Sequence, residues 1–253
     1  MLNNRLKLND AKTQLLVVMP GSKNHQNVVD LVSIRTGSET INPCQSAKLL
    51  GCWVSGDLKW TEHIRNNSDN LLTSLNKRAA AVGKICQIAT FRTRKTIAEG
   101  IFISKLSYLI VLWGGCGSVL RKSLQISQNK VARMVTKLPW MTPTSVLLKQ
   151  CGWLSVNQLT FYHSVLLVFK VRFQKSPKYL FDMHKENEHN YMTRQAENRL
   201  LMTQRPRLEL SKESYRWRSA EHFNQIPKQI RDSVCVKSFK REIKSWILAN
   251  IPV

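Results

Sequence analysis

Lys48-Leu49-Leu50-Gly51-Cys52-Trp53-Val54-Ser55-Gly56-Asp57-Leu58-Lys59-Trp60-Thr61-Glu62-His63-Ile64 is the stretch in which the chain changes its period. Before Trp60, Ala47 to Val54 reads as one apolar strand, with Gly51 where a backbone or a ligand approaches closely. After Trp60, Thr61 is a candidate N-cap with Glu62 in the first turn. Ile64, Leu71, Leu75, Ala79, Val82 and Ile85 then recur mostly at three- and four-residue steps, the period of a helix with one buried face.

Toward the N-terminus the strand character continues. Gln14 to Met19 is an apolar strand closed by Pro20-Gly21. Leu31 to Arg35 and Glu39 to Ile41 flank Thr36-Gly37-Ser38, a hairpin signal. Toward the C-terminus the helical period persists. It predicts a helix from Thr93 to Trp113 ended by Gly114-Gly115, and another from Ser118 that stops before Pro139. A short helix is predicted from Pro143 to Gly152, and a long one from Ser155 to Lys175, before Pro177. Asp182 to Arg194 is polar, lacks periodicity and reads as a loop. A last helix, Ser238 to Ala249, carries Phe239, Ile243, Trp246 and Ile247 on one side. The expected fold class is α+β, a small antiparallel β region followed by a mostly α-helical remainder.

The 253 residues suffice for one large domain or two small ones, and 43% apolar content marks a globular chain. Lys and Arg total 39 against 16 Asp and Glu, a net charge of +23. Residues 64–178 hold 18 of the basic side chains and only two acids, Asp69 and Glu99; Gly100 to Phe181 contains no carboxylate. A solvated helical face normally alternates its signs, because i,i+4 pairs stabilise it. Here the repulsion has no internal compensation. A polyanion is therefore the economical partner, and an ordinary metabolic enzyme is disfavoured.

Met1-Leu2-Asn3-Asn4-Arg5 opens no apolar signal core, so secretion is not expected. The apolar run Leu109 to Trp113 is about a quarter of the ~20 residues a spanning helix needs, so no membrane is expected. Cys44, Cys52, Cys86, Cys116, Cys151 and Cys235 form no C-x-x-C pair and have no close His pair. Reduced, mostly buried thiols of an intracellular protein are expected. Cys52 and His63 are two ligands without a second pair.

Three segments resemble one family. Asn4-Arg5-Leu6-Lys7-Leu8-Asn9-Asp10-Ala11-Lys12-Thr13 precedes the strand Gln14-Leu15-Leu16-Val17-Val18. The stretch from Lys48 to Ile64 is the second, and Leu124-Gln125-Ile126-Ser127-Gln128-Asn129-Lys130-Val131-Ala132-Arg133 the third. In this order they look like the C-terminal half of a non-LTR (LINE-type) retrotransposon reverse transcriptase, an RNA-directed DNA polymerase. Weaker echoes follow at Trp113-Gly114-Gly115, Pro177-Lys178-Tyr179-Leu180, Thr193-Arg194, Phe223-Asn224-Gln225-Ile226-Pro227 and Phe239-Lys240-Arg241. The resemblance implies a palm remnant with a primer-grip-like hairpin over residues 1–60. It implies a basic, helical, thumb-like domain over 61–178, and a C-terminal region with a polar loop and a terminal helix over 179–253.

By the same resemblance Lys12 is the motif lysine that acts on the departing pyrophosphate, where an ammonium suits the developing charge. Without it, Lys12 is an exposed turn lysine. Leu49, Leu50 and Gly51 match the primer grip; without the resemblance they are a buried strand with a tight spot. Two-metal polymerases hold Mg²⁺ between paired carboxylates. The family's aromatic-Ala-Asp-Asp hairpin is absent from this sequence, and Asp10, Asp30 and Asp57 are isolated. No metal ligand and no cofactor is therefore expected here, although the intact family enzyme uses Mg²⁺. The chain alone is expected to be inactive as a polymerase, the product of a truncated or incomplete reading frame.

Lys77, Arg78, Lys84, Arg92, Arg94, Lys95 and Lys105 are the expected phosphate contacts, on or between two predicted helices. They suit shape-level binding of RNA or an RNA–DNA hybrid. Lys130 and Arg133 join them, with Gln128 and Asn129 divided between helix surface and phosphate. Trp60 and His63 are expected to pack at the strand-to-helix junction, and most tryptophans to pack in the core rather than stack on bases. His184 and His189 lie in the polar loop without a third ligand. Three readings stay open: a non-catalytic remnant holding a template–primer, a piece of an active polymerase, and an unrelated basic helical nucleic-acid-binding or scaffold protein. A nuclear location is expected from the family and the charge.

Overall fold

The computed structural model describes residues 9, 12–19, 31–36, 39–186, 200–203 and 206–253. The fold is α+β and mostly helical. The chain divides into two compact units, residues 1–74 and 75–253. The boundaries at 60 and 178 read from the sequence are breaks in charge and period; helices on both sides of residue 178 pack together within the second unit.

The first unit holds the strands β1 (Leu15–Leu16), β2 (Ile34–Thr36), β3 (Glu39–Ile41), β4 (Pro43–Cys44), β5 (Ser46–Leu49) and β6 (Cys52–Ser55). β2 and β3 form the expected antiparallel pair, with Thr36 opposite Glu39. Gln14–Met19 contributes only β1, and it pairs with β4 in parallel, so the sheets are not purely antiparallel. Ala47–Val54 is not one strand. It is the β5–β6 hairpin, with Leu49 opposite Cys52, and it turns at Leu50 and Gly51. Both turn residues have positive φ, 49° and 78°. Such paired left-handed residues match the twist of the flanking strands, and Gly51 adopts its φ without steric cost.

After β6 comes a single π-helical turn, Glu62–Asn66. Thr61 is not its cap: φ −61° and ψ −43° are helical, and its side chain accepts no capping bond. The Glu62 carboxylate instead accepts from the Asn66 amide at 2.9 Å and the Asn67 amide at 3.3 Å. The chain breaks there and restarts at Asn70. Its Oδ1 accepts the Thr73 N–H at 2.7 Å, and its amide donates to the carbonyls of Arg65 (2.8 Å) and Asn67. One buried amide thus closes the previous turn and caps helix α1, Leu71–Ile85. Trp60 and His63 meet at the junction as expected, rings edge-on with centroids 6.4 Å apart.

The second unit begins within α1. Thr90 caps α2 (Phe91–Ala98), which runs through a π turn, Glu99–Ile103, into α3 (Ser104–Ser107). The predicted helix from Thr93 to Trp113 is broken at Leu109, whose φ of 54° is left-handed, and resumes as α4, Ile110–Trp113. No glycine or proline marks that break. Then follow α5 (Ser118–Thr136), α6 (Thr144–Cys151) and α7 (Val156–Gln174), close to their predicted limits. Ser155 and Gln158 form a reciprocal capping box at the start of α7. α8 (Lys178–Met183) takes Asp182 and Met183 out of the predicted loop, and Glu186 bridges to Leu201. The rest of that loop, with His189, lies outside the described residues. The C-terminal part adds α9 (Glu209–Glu213), α10 (Tyr215–Asn224), α11 (Lys228–Arg231) and α12 (Val236–Asn250).

α7 is the centre of this unit, and α4, α5, α10 and α12 pack on it. Phe169 of α7 stacks on Phe239 of α12 at 4.0 Å, and Phe161 stacks on His222 of α10 at 4.6 Å. The Gly114-Gly115 corner is pressed against α7 and α10. A Cβ on Gly114 would lie 2.5 Å from Thr160 Cγ2 and 2.4 Å from the Ile110 carbonyl. One on Gly115 would lie 2.2 Å from the Glu213 carbonyl and 1.9 Å from an Arg218 nitrogen. All six cysteines are free, and four of them are buried.

Two outcomes are expected. Gly115→Ala drives a methyl into backbone as well as side chain, so it lowers stability by about 1–3 kcal/mol in urea titration. His222 is held neutral: burial above all, then the charges of Arg218 and Arg121, push its pKa down to about 3. His184 is lowered too, by burial first. The unfolded chain gains protons on these rings near pH 6.5, the folded chain only at lower pH, about 3 for His222. Stability is therefore full above that pH and falls as the pH drops toward about 3. Thermal melting at neutral and at acid pH shows this loss, and His222→Phe reduces it.

Candidate nucleic-acid interface

Lys77 and Lys84 lie seven residues apart on α1, both exposed, on the side away from the buried Leu75, Ala79 and Val82. Arg92 is exposed in the first turn of α2. These three are free to meet phosphate. Their expected companions divide. Arg78 is half-buried and donates to the Ile101 carbonyl at 3.0 Å. Lys95 lies 3.9 Å from Glu99 as an i,i+4 pair, and Glu99 also accepts the Trp153 indole N–H at 2.9 Å. The Lys105 ammonium lies 5.6 Å from the centre of the Tyr108 ring.

Arg94 is withdrawn from the surface altogether. It is 8% exposed, its Nε donates to the Val135 carbonyl at 2.8 Å, and its Nη1 donates to the Ala89 carbonyl at 3.1 Å. Val135 is in the last turn of α5, where carbonyls lack intrahelical donors and a cation suits the helix dipole. Arg94 is thus a structural clamp between α2 and α5, not a phosphate contact. Gln128 and Asn129 are structural as well. Gln128 is fully buried and donates to the Leu154 carbonyl at 2.8 Å, and Asn129 donates to Thr144 Oγ1 at 2.8 Å.

On α5 the structure brings together what the sequence reading left apart. Lys122, Lys130 and Arg133 follow at steps of eight and three, one stripe of the helix, and Lys137 is the left-handed C-cap residue just past its end (φ 56°). The three lysines are exposed. The Arg133 guanidinium lies 4.6 Å from the centre of the Trp140 ring, and its Nε donates to the Trp140 carbonyl at 3.2 Å. None of Lys77, Lys84, Arg92, Lys122, Lys130, Arg133 and Lys137 forms an ion pair among the described residues. Lys122 and Trp140 were legible: the lysine by its register with Lys130, and Trp140 by its place between Pro139 and Pro143, outside any helix.

In the first unit, Lys12 is exposed and its backbone N–H donates to the Asn9 carbonyl at 3.1 Å. Leu49 and Leu50 stand out at the hairpin tip, 66% and 77% exposed, rather than in a buried strand. His184 is buried, its two ring nitrogens 2.9 Å from the Leu180 carbonyl and 2.9 Å from Ser219 Oγ, so both are engaged within the fold. Among the described residues, no group of three His, Cys, Asp or Glu converges to hold a metal ion, and no helix is long and apolar enough to cross a membrane.

The two kinds of basic residue separate in a stability measurement. Arg94→Ala leaves the buried Val135 carbonyl and the half-buried Ala89 carbonyl without this donor and costs about 1–3 kcal/mol in urea titration. Lys84→Ala and Lys130→Ala change stability by less than about 0.5 kcal/mol.

Comparison of the chain with protein-family models, with curated proteins and with solved structures finds no match.

Proposed function

We propose that this chain is a fragment of a non-LTR retrotransposon reverse transcriptase whose helical unit holds RNA or an RNA–DNA hybrid by its phosphates. The observation that carries the binding is the set of exposed cations on α1, α2 and α5 that no carboxylate pairs with among the described residues. Water and salt screen such charges, but their mutual repulsion is relieved fully only by a polyanion. The grip-like hairpin tip presents Leu49 and Leu50 to solvent, where a primer strand of the family's kind would pass. No Asp-Asp pair stands in the sequence, so the reading gives these residues a binding role and no polymerase chemistry of their own. A nuclear site of action belongs to the same reading.

The test is a binding titration of the full chain with a labelled RNA–DNA hybrid across salt concentrations. With about five phosphates neutralised, log K falls against log salt with a slope of about −4, whatever the hybrid's sequence. Lys77→Ala, Lys84→Ala and Lys130→Ala each flatten that slope by about one. No affinity at low salt, together with tight binding of an acidic protein, would instead make this a basic helical scaffold.

A further inference from the structure

We infer that Trp140 is a stacking platform for an unpaired base of single-stranded nucleic acid, with Arg133 as its backing and Lys130 and Lys137 as its phosphate contacts. This rests on the nucleic-acid reading above and narrows it from duplex backbone to the bases of a single strand.

All seven tryptophans lie among the described residues, and only Trp140 is exposed, at 76%. Met141 beside it is 87% exposed. An indole so placed forgoes the burial that drives large aromatics inward. It is nevertheless held firmly. The Thr142 N–H donates to the Pro139 carbonyl at 3.1 Å and closes a turn with Trp140 and Met141 at its corner. Arg133 fastens the same turn from α5, through the Trp140 carbonyl and through the ring. With the guanidinium over one face of the indole, its exposure leaves the other face to solvent.

A flat, fixed, half-covered ring is complementary to another flat ring. Bases supply one, and stacking tolerates any sequence because every base has a π-face. Bases within a duplex are already stacked on their neighbours, so the occupant is a single strand. The charges agree. Lys130 lies three residues before Arg133 on α5, and Lys137 is the exposed C-cap residue four after it, so the two bracket in the chain the residue that backs the platform. Each is placed for a phosphate flanking the stacked nucleotide. An acidic peptide would answer the lysines but has nothing for the indole face.

The experiment is fluorescence anisotropy of the full chain with labelled oligo(dT), with a hairpin-capped duplex, and with oligo-glutamate. Trp140→Ala weakens oligo(dT) binding by about tenfold, leaves the capped duplex unchanged, and leaves the salt slope of both unchanged. Trp140→Phe keeps most of the strand affinity. Both variants melt like the wild type, because the side chain is exposed. If Trp140→Ala weakens strand and duplex alike, or neither, the platform is overturned and the basic surface stands. If the wild type binds no nucleic acid, the reading beneath it falls as well. Binding of oligo-glutamate that depends on Trp140, without strand binding, overturns the proposal in favour of an acidic protein partner.

Discussion

Helix α7 has almost no side to offer to water. Val156, Leu159, Phe161, Val165, Leu166, Val168, Phe169 and Val171 are all buried, and they point around the whole helix. A helix of that kind persists only when others cover it. The cover is amphipathic: α5 and α12 turn Leu124, Val131, Phe239 and Ile243 inward and their charges outward. Two buried polar side chains of α7 are bonded, Gln158 in its capping box and to the Ile251 carbonyl at 2.7 Å, and Thr160 to the Val156 carbonyl at 2.9 Å, whereas the buried Ser164 hydroxyl has no partner in the fold. A chain with this surplus of cations and a core of this kind has to carry nearly all of its charge on the outer faces of the covering helices. The interface and the core are thus two consequences of one constraint.

The cations that do enter the fold meet few carboxylates there. Arg78, Arg94, Arg121 and Arg218 each donate to main-chain carbonyls of other segments, namely Ile101, Val135, Ala89, Cys116, Glu213 and Val111. Guanidinium suits this use, because it is weakly hydrated and offers several donors in a rigid plane. Burial, with the charge of Arg121 adding to it, brings the pKa of Arg218 down to about 10. An acid-poor sequence can therefore still build internal polar ties, with backbone oxygen in the place that Asp or Glu fills elsewhere. The same count explains why only part of the predicted phosphate set is free on the surface.

The helices of the second unit were readable because their limits are written in local chemistry. Ser155 with Gln158, Pro139 after α5, and Gly152 after α6 each act within one turn of the element they bound. What could not be read either lacks the usual local spelling or depends on a distant partner. Leu109 is held left-handed with no local signal. The capping role passes from Thr61 to Asn70 because Glu62 is engaged by two asparagines and Asn70 reaches back to Arg65. The Leu50-Gly51 turn lacks the usual Asn-Gly or Asp-Gly spelling, so two strands read as one. In the site, Arg94 looked like its neighbours Arg92 and Lys95; only the carbonyl of Val135, 41 residues away, sets it apart. Trp140 was masked by the general rule that tryptophans pack inside, and the two flanking prolines were the evidence against it.

The lock on the Gly114-Gly115 corner joins residues made far apart in time. Arg218 holds the Val111 carbonyl across 107 residues, and the Gln158 bond to Ile251 spans 93. A ribosome adds roughly 5–20 residues per second, so α4 waits some seconds to tens of seconds for α10. In the later part of that interval α7 has been made without α10 and α12, and the apolar sides that those helices cover stay open. Synthesis of this chain therefore carries a phase in which one side of the central helix is open, and interruption just upstream of Phe239 leaves Phe169 without its stacking partner on α12 although α4, α5 and α10 are already made.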